Sequence, residues 1–465
     1  NESGVWRFRE LLNFCEIDTD DFDQCSKFLV SLDGAEGRQS KPYHMSKVSN
    51  FINIDNENLM LQPEGYNPSG SFKDNGMASA VTHAKLMNAK KIICASTGNT
   101  SASAGMFAAN ENMECDVYIP DGQIAPGKLS QAYQFGTQMI KINGNFDDAF
   151  TKSLEAAKQV GSYTVNSVNP FRIEGQKAIP FRALEFLNWE VPDWIVYPGG
   201  ALGNTSSCGK CLMELHKWGW IKKIPRIAVI NAEGANTFYQ LYNGKFENEE
   251  LRWNDGKPNL ELIDKYYKRM SEDENLKPKT KATAIQIGKP ANITKGLRAL
   301  DFTNGVVIQV SDSEMLDGMS SVGLNGFDCE MASGATVAGI KKLLNEEIMK
   351  KDDKIIGILT GVGLLMISAV PIYTIGFIAM IIMGLTETGR WSLGQALMMD
   401  NADDEYRARV VSLLMLSWGL MPLSMIPMGW AFGYFGPEIT TLFTSIVTIL
   451  FALSSVVWGK ELLKK

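Results

Sequence analysis

The sequence predicts an α/β fold built on a largely parallel sheet over residues 1–361, followed by an α-helical transmembrane segment over 362–465. Three observations carry this expectation. Short apolar runs alternate with helical stretches through the first part of the chain, small-residue turns follow several of those runs, and charge vanishes over long stretches near the carboxyl end. Alternation of strand, turn and helix indicates parallel strands joined by crossover helices. In such sheets ligands sit beyond the carboxyl ends of the strands, which is where the glycine-rich turns fall.

Composition bounds the functional classes. A chain of 465 residues is long enough for two or three domains. Its net charge of −7 leaves no basic stripe to neutralise phosphates, so a nucleic-acid partner is not expected. The seven cysteines, at 15, 25, 94, 115, 208, 211 and 329, are odd in number and lack framework spacing, as expected of reduced thiols in a cytosolic compartment. Cys208 and Cys211 have the spacing of a redox or zinc pair, but no second pair or histidine cluster accompanies them. They are expected to be small buried helix residues. The first residue is Asn1, as in a chain with a truncated start, and the acidic stretch up to Asp33 does not read as a signal peptide.

Candidate buried strands lie at 91–95, 116–119, 138–142, 194–197, 226–231, 306–310 and 354–360. The stretch around which the chemistry gathers is 67–76, NPSGSFKDNG, which places Lys73 between a glycine-serine turn and the start of a helix. An amine that forms a Schiff base must be held at a fixed point, partly desolvated and free of a carboxylate partner. An isolated SFKD is as compatible with a solvated loop lysine. Run 91–95 leads into the polar turn STGNT and a small-residue helix; run 194–197 leads into Gly199, Gly200, Ala201, Leu202, Gly203 and Asn204. Glycines there let the backbone approach a ligand, and amides at a helix start form an anion site without any lysine. A plain tight turn is the alternative. The pattern is neither a Walker loop nor a dinucleotide fingerprint. A phosphate cradle together with an aldehyde-accepting lysine describes pyridoxal phosphate.

Lys73 in SFKD, the turn STGNTSAS, the segment NSVNPFRIEGQKA, the cradle PGGALGN, the segment TAIQIGKP and the strand end ILTG resemble, in this order, the threonine synthases. The resemblance implies a two-domain, fold-type II pyridoxal phosphate enzyme of the tryptophan-synthase-β-like kind, with the smaller subdomain at roughly 80–190. It implies that Lys73 carries the cofactor, that Asn99 meets its phenolic oxygen, that residues 199–204 hold its phosphate, and that Thr360 faces the ring nitrogen. A hydroxyl there, in place of an aspartate, is expected to leave the pyridine less protonated. Ser96, Thr97 and Thr100 are suited to the substrate carboxylate, with helix capping as the coexisting role. Arg172 and Lys177 are the cations that could meet a substrate phosphate, or else lie on the surface. The implied reaction converts O-phospho-L-homoserine and water to L-threonine and phosphate, with Lys73 as acid-base shuttle. Alternatives are another fold-type II lyase, such as a threonine dehydratase, and a transporter fragment with a degenerate soluble head. The small-molecule substrate is the expected partner; a homodimer is left open.

Two family features are altered: the amino-terminal EG-x-TPL pattern is present only as AEGRQSKP, and Ala201 stands where plant-type cradles have asparagine. After Thr360 and Gly361 the family's His-Gly-Leu-Lys element is replaced by VGLLMISAV. Runs 355–386, 410–437 and 439–459 carry no charge, and each is long enough to span a bilayer. With the loop DNADDEYRARVVSL, residues 362–465 resemble the closing spans of a major facilitator superfamily transporter. Arg407, Arg409, Lys460, Lys464 and Lys465 are then expected on the cytoplasmic side, with Glu387 and Arg390 as an interfacial pair. Residues 355–360 read both as a core strand and as the start of a span. The join therefore reads as a chimera of two coding sequences, or as a membrane-anchored enzyme.

Overall fold

Among the described residues, nine strands sort into two sheets, and every strand pair in both is parallel. The computed structural model describes residues 4–12, 40–121, 131–144, 146–158, 161–251 and 258–363. The larger sheet runs β1 (Leu59–Pro63), β9 (Ile355–Leu359), β6 (Trp194–Pro198), β7 (Arg226–Ala232), β8 (Val306–Val310). The smaller runs β4 (Gln138–Ile142), β3 (Glu114–Pro120), β2 (Lys91–Ala95), β5 (Ser162–Thr164). The chain leaves the larger sheet after β1, builds the whole smaller one, and returns as β6.

Strands covered by helices on both faces need apolar residues on both, which is why WIVYP and IIGIL are uninterrupted runs and are buried throughout. Their alternate side chains feed different cores. Ile195, Tyr197, Val229, Ile356 and Ile358 belong to the cluster on one face, and Trp194, Val196, Ile230, Ile355 and Leu359 to the cluster on the other.

All seven expected strands are present. The two strands not expected, β1 and β5, lack a clean apolar run: β1 contains Gln62, buried because its amide donates to Glu64 and to the Ile179 carbonyl, and β5 has only three half-buried residues. Cys208 and Cys211 are fully buried in the helix after β6, and burial pushes the Cys208 thiol up to about 12.

The expectation for run 355–386 is corrected at its start. Residues 355–359 form an interior strand of the larger sheet, and the next residues stay bound to the turn before Lys73. Phe72 N donates to Thr360 O at 2.8 Å, Ser71 bridges Gly361, and Val362 N donates to Gly70 O at 2.9 Å. A strand whose edges are both paired cannot also open a bilayer span. Among the described residues no helix is long and apolar enough to cross a membrane. The expected spans beyond Gly363, with Glu387, Arg390 and the flanking cations, lie outside the described residues, as do Cys15 and Cys25.

Candidate active site

Lys73 is the first residue of helix α1 (Lys73–Leu86), reached through a turn that its own neighbours lock. Gly70 adopts φ +82°, a left-handed conformation that favours glycine, and a Cβ there would stand 2.7 Å from the Val362 side chain. Asp74 accepts from Ser69 N at 2.7 Å, Ser69 Oγ at 2.5 Å and Ser103 Oγ at 2.6 Å, which ties the helix start to its preceding turn. Lys73 makes no ion pair among the described residues; its Nζ lies 4.2 Å from the Phe72 ring centroid. Burial first, and the nearby Arg172 second, lower its pKa to about 7 against the opposing pull of Glu330. The amine is therefore substantially neutral at physiological pH, the state a nucleophile requires.

The turn after β2 leads into helix α2 (Asn99–Asn110) through Gly98, which has no side chain to cap the first amides. Ser96 Oγ accepts from Gly98 N at 3.1 Å and so shapes the turn, while Ser96 and Thr97 remain half-buried and Thr100 is buried. Asn99 is 7% exposed; its Nδ2 donates to Glu330 at 2.9 Å, and its Oδ1 has no partner.

The cradle after β6 requires its glycines for two reasons. A Cβ at Gly199 would stand 2.6 Å from both Asn231 Nδ2 and Val229 Cγ1, and one at Gly200 would stand 3.2 Å from the Ile285 backbone. Leu202 is held at φ +61°, a strained conformation for a side-chain-bearing residue. Helix α4 (Gly203–Lys217) starts here with no side-chain cap, and Asn204 Oδ1 and Thr205 Oγ1 are buried without partners.

Arg172 lies on helix α3 (Pro170–Gln176), a start specified by Pro170 at its first position and by Asn169, whose side chain accepts from Phe171 N and Arg172 N. Glycines let α1 and α3 touch backbone to backbone: a Cβ at Gly76 would stand 2.7 Å from Arg172 O, and one at Gly175 would strike the Asn75 carbonyl. Close approach brings Arg172 to Lys73. Arg172 is fully buried, not on the surface; Nη1 donates to Val165 O at 3.1 Å, whereas Nε and Nη2 have no partner. Burial lowers its pKa to about 10. Lys177, the other expected cation, is neither superficial nor available. Its Nζ, fully buried, pairs with Glu174 at 2.8 Å and Glu214 at 2.6 Å and donates to Leu11 O at 3.0 Å.

Thr360 follows β9, the strand beside β1. Its Oγ1 donates to Glu330 at 2.8 Å, and its backbone N donates to Ser333 Oγ at 2.8 Å. Sequence reasoning missed Glu330, which precedes helix α5 (Met331–Asn345), and Ser333 within it. The only signal available was an acidic residue next to a helix rich in small side chains.

The site thus offers an unpaired amine that is partly neutral near pH 7, a cradle that any Cβ would fill, uncapped helix amides and orphaned buried polar atoms. These fit an aldehyde on an aromatic ring that carries a phosphate. Fold and site define a pyridoxal-phosphate dependent enzyme, and the family model described as "Pyridoxal-phosphate dependent enzyme" matches residues 42–361. The chain is 37% identical over 364 residues to the threonine synthase of Methanocaldococcus jannaschii, covering 78% of this chain and 81% of that protein. It is 39% identical over 302 residues to the threonine synthase of a Bacillus species, covering 65% and 76%. The chain belongs to the threonine synthase family of these enzymes. Among solved structures, an aspartate racemase superposes with TM-score 0.56 at 17% identity over 77% of this chain and 98% of that one. Threonine deaminase isoform 2 from Solanum lycopersicum gives 0.55 at 16% over 75% and 91%. At these identities the likeness concerns the fold alone.

Proposed function

We propose that the chain converts O-phospho-L-homoserine and water to L-threonine and phosphate, with pyridoxal phosphate held on Lys73. The cofactor, when bound, supplies an electron sink for the substrate's Cα. Residues 199–204 hold the cofactor phosphate, Asn99 its phenolic oxygen and Thr360 its ring nitrogen. Ser96, Thr97, Thr100 and the uncapped amides of α2 hold the substrate carboxylate. Lys73 Nζ takes the proton from substrate Cα and serves again at Cβ, a shuttle suited to an amine whose pKa lies near 7.

The observation that carries the choice of substrate is Arg172. A buried guanidinium with two unpartnered nitrogens is costly unless an anion arrives, and a substrate phosphate is an anion of matching geometry. When the phosphate leaves Cγ, its developing charge meets a fixed cation that requires no reorganisation. A dehydratase substrate brings no phosphate and would leave those nitrogens empty. The purified full-length chain is expected to release phosphate from O-phosphohomoserine faster than it deaminates threonine. The opposite preference would favour the dehydratase.

For the residues after Gly363 the proposal rests on the sequence: bilayer spans resembling the end of a major facilitator transporter, with the catalytic region on the cytoplasmic side. The intact chain then partitions with membranes and resists alkaline extraction; recovery in the detergent-free supernatant would refute this.

A further inference from the structure

We propose that Glu64 is a positioning residue for Lys73: with Arg182 as its counter-ion, this one carboxylate holds both ends of the lysine-bearing turn and so fixes where the amine is presented and how deeply it is buried. The proposal rests on the reading above that Lys73 receives the cofactor. Glu64 opens the one-turn helix Glu64–Tyr66 after β1 and is fully buried. Its Oε2 accepts from Asn67 Nδ2 at 2.8 Å and from Asn75 Nδ2 at 2.8 Å. Asn67 stands at the start of the turn and Asn75 in the first turn of α1, so the two contacts bracket Lys73. Each asparagine also ties its own side to the backbone: Asn67 Nδ2 donates to Glu64 O at 2.7 Å, and Asn75 Nδ2 donates to Phe72 O at 3.0 Å. A carboxylate and a carbonyl can only accept, so the direction of each of these bonds is fixed, and both hydrogens of each amide are used.

A carboxylate buried this deeply needs a cation. Arg182, on the helix Ala178–Phe186, supplies it: Nη2 lies 2.9 Å from Oε1 and 2.8 Å from Oε2, and Gln62 Nε2 donates to Oε1 at 2.8 Å. Because Arg182 meets the charge of Glu64, the clamp can hold the turn while the lysine amine itself stays unpaired. The bonds from Ser69 to Asp74 and between residues 360–362 and Gly70 and Phe72 secure the middle of the turn; Glu64 secures its two ends. What the clamp protects is the desolvation of Lys73, the first cause of its lowered pKa. Releasing Asn75 frees the first turn of α1, admits water to Nζ and returns the amine toward ordinary lysine behaviour.

The test follows capture of pyridoxal phosphate by the cofactor-free full-length chain across pH, read by visible absorbance and located by borohydride reduction and peptide mass. In the wild type, capture should level off above about 7. Glu64→Met/Arg182→Met removes the clamp together with its counter-ion, so that neither charge is left buried alone and the fold is retained. Its capture midpoint should rise by about one pH unit or more, which slows capture about fivefold at pH 7 and restores it at about pH 9. Asn75→Ala cuts one end of the clamp, keeps the Glu64–Arg182 pair, and should move the midpoint in the same direction; it decides the matter if the double variant does not fold. A role confined to stability would lower the denaturant midpoint and leave the pH of capture unmoved. That result in the folded double variant, or in Asn75→Ala, would overturn the proposal alone. A wild-type chain that captures no aldehyde on Lys73 would overturn the lysine assignment and the proposal with it.

Discussion

Replacing Arg172 by methionine keeps most of the side-chain volume on α3 while removing the charge, and the structure predicts effects of opposite sign on stability and on turnover. In the unliganded protein the guanidinium is fully buried with Nε and Nη2 unpartnered, so its desolvation is incompletely repaid. Removing it costs the bond to the Val165 carbonyl, about 1 kcal/mol. It also relieves a buried charge penalty of several kcal/mol, so the apoprotein should gain about 1–3 kcal/mol. Turnover should change in the other direction. A bidentate charge-assisted contact to a leaving phosphate is worth about 3–4 kcal/mol in the transition state, so kcat/KM for O-phosphohomoserine should fall roughly 10²- to 10³-fold. A third effect follows from Lys73, whose pKa Arg172 helps to lower: in the variant the lysine should titrate at higher pH. Denaturant midpoints of the apoprotein, steady-state phosphate release and the pH profile of cofactor capture read the three effects separately. Unchanged kcat/KM with unchanged stability would refute the anion site.

The remaining predictions are shorter. Lys73→Ala should abolish turnover while the circular dichroism stays native; retained activity would sink its role. Capture of the cofactor aldehyde by apoprotein needs the neutral amine, so its rate should rise with pH and level off above about 7, not continue toward 10.5. At pH 7 about half of Lys73 is neutral, against roughly one part in a few thousand of an ordinary lysine. Gly200→Asp places a carboxylate against the cofactor phosphate, a repulsion of about 4 kcal/mol at a few ångströms, so cofactor Kd should rise about 10³-fold. Equilibrium dialysis that finds wild-type affinity would contradict it. Lys177→Met leaves Glu214 and the Leu11 carbonyl without their shared cation and should destabilise by about 3 kcal/mol, with kcat changed little in whatever protein remains folded.

What the sequence disclosed and what it concealed follow from the range of the interactions concerned. Trp194–Pro198 and Ile355–Leu359 were legible because double-sided burial in a parallel sheet writes an unbroken apolar run into adjacent positions. The cradle was legible because Gly199 and Gly200 are dictated by collisions that any side chain would cause. β1 was hidden by Gln62, whose burial depends on a carbonyl 117 residues away. Glu330 looked like an ordinary acidic residue, since its partners Asn99 and Thr360 are local neither to it nor to each other. Lys177 showed the converse: a cation beside a motif, claimed by Glu214 and the Leu11 carbonyl from elements that its own segment does not announce.

The position of β9 has a consequence for the order in which the molecule can be built. It is the last of the described strands in the chain, yet it lies inside the larger sheet between β1 and β6. Until residues 355–359 leave the ribosome, those two earlier strands each face an open slot with unpaired amides and carbonyls, a template for strands of other chains. The smaller sheet closes from residues 91–164 alone and does not share this delay. Thr360, directly after β9, arrives with the same closing event. The nascent chain can therefore complete its smaller sheet early, but it seals its larger sheet, and with it the turn before Lys73 that Thr360 and Val362 hold, in a single late step.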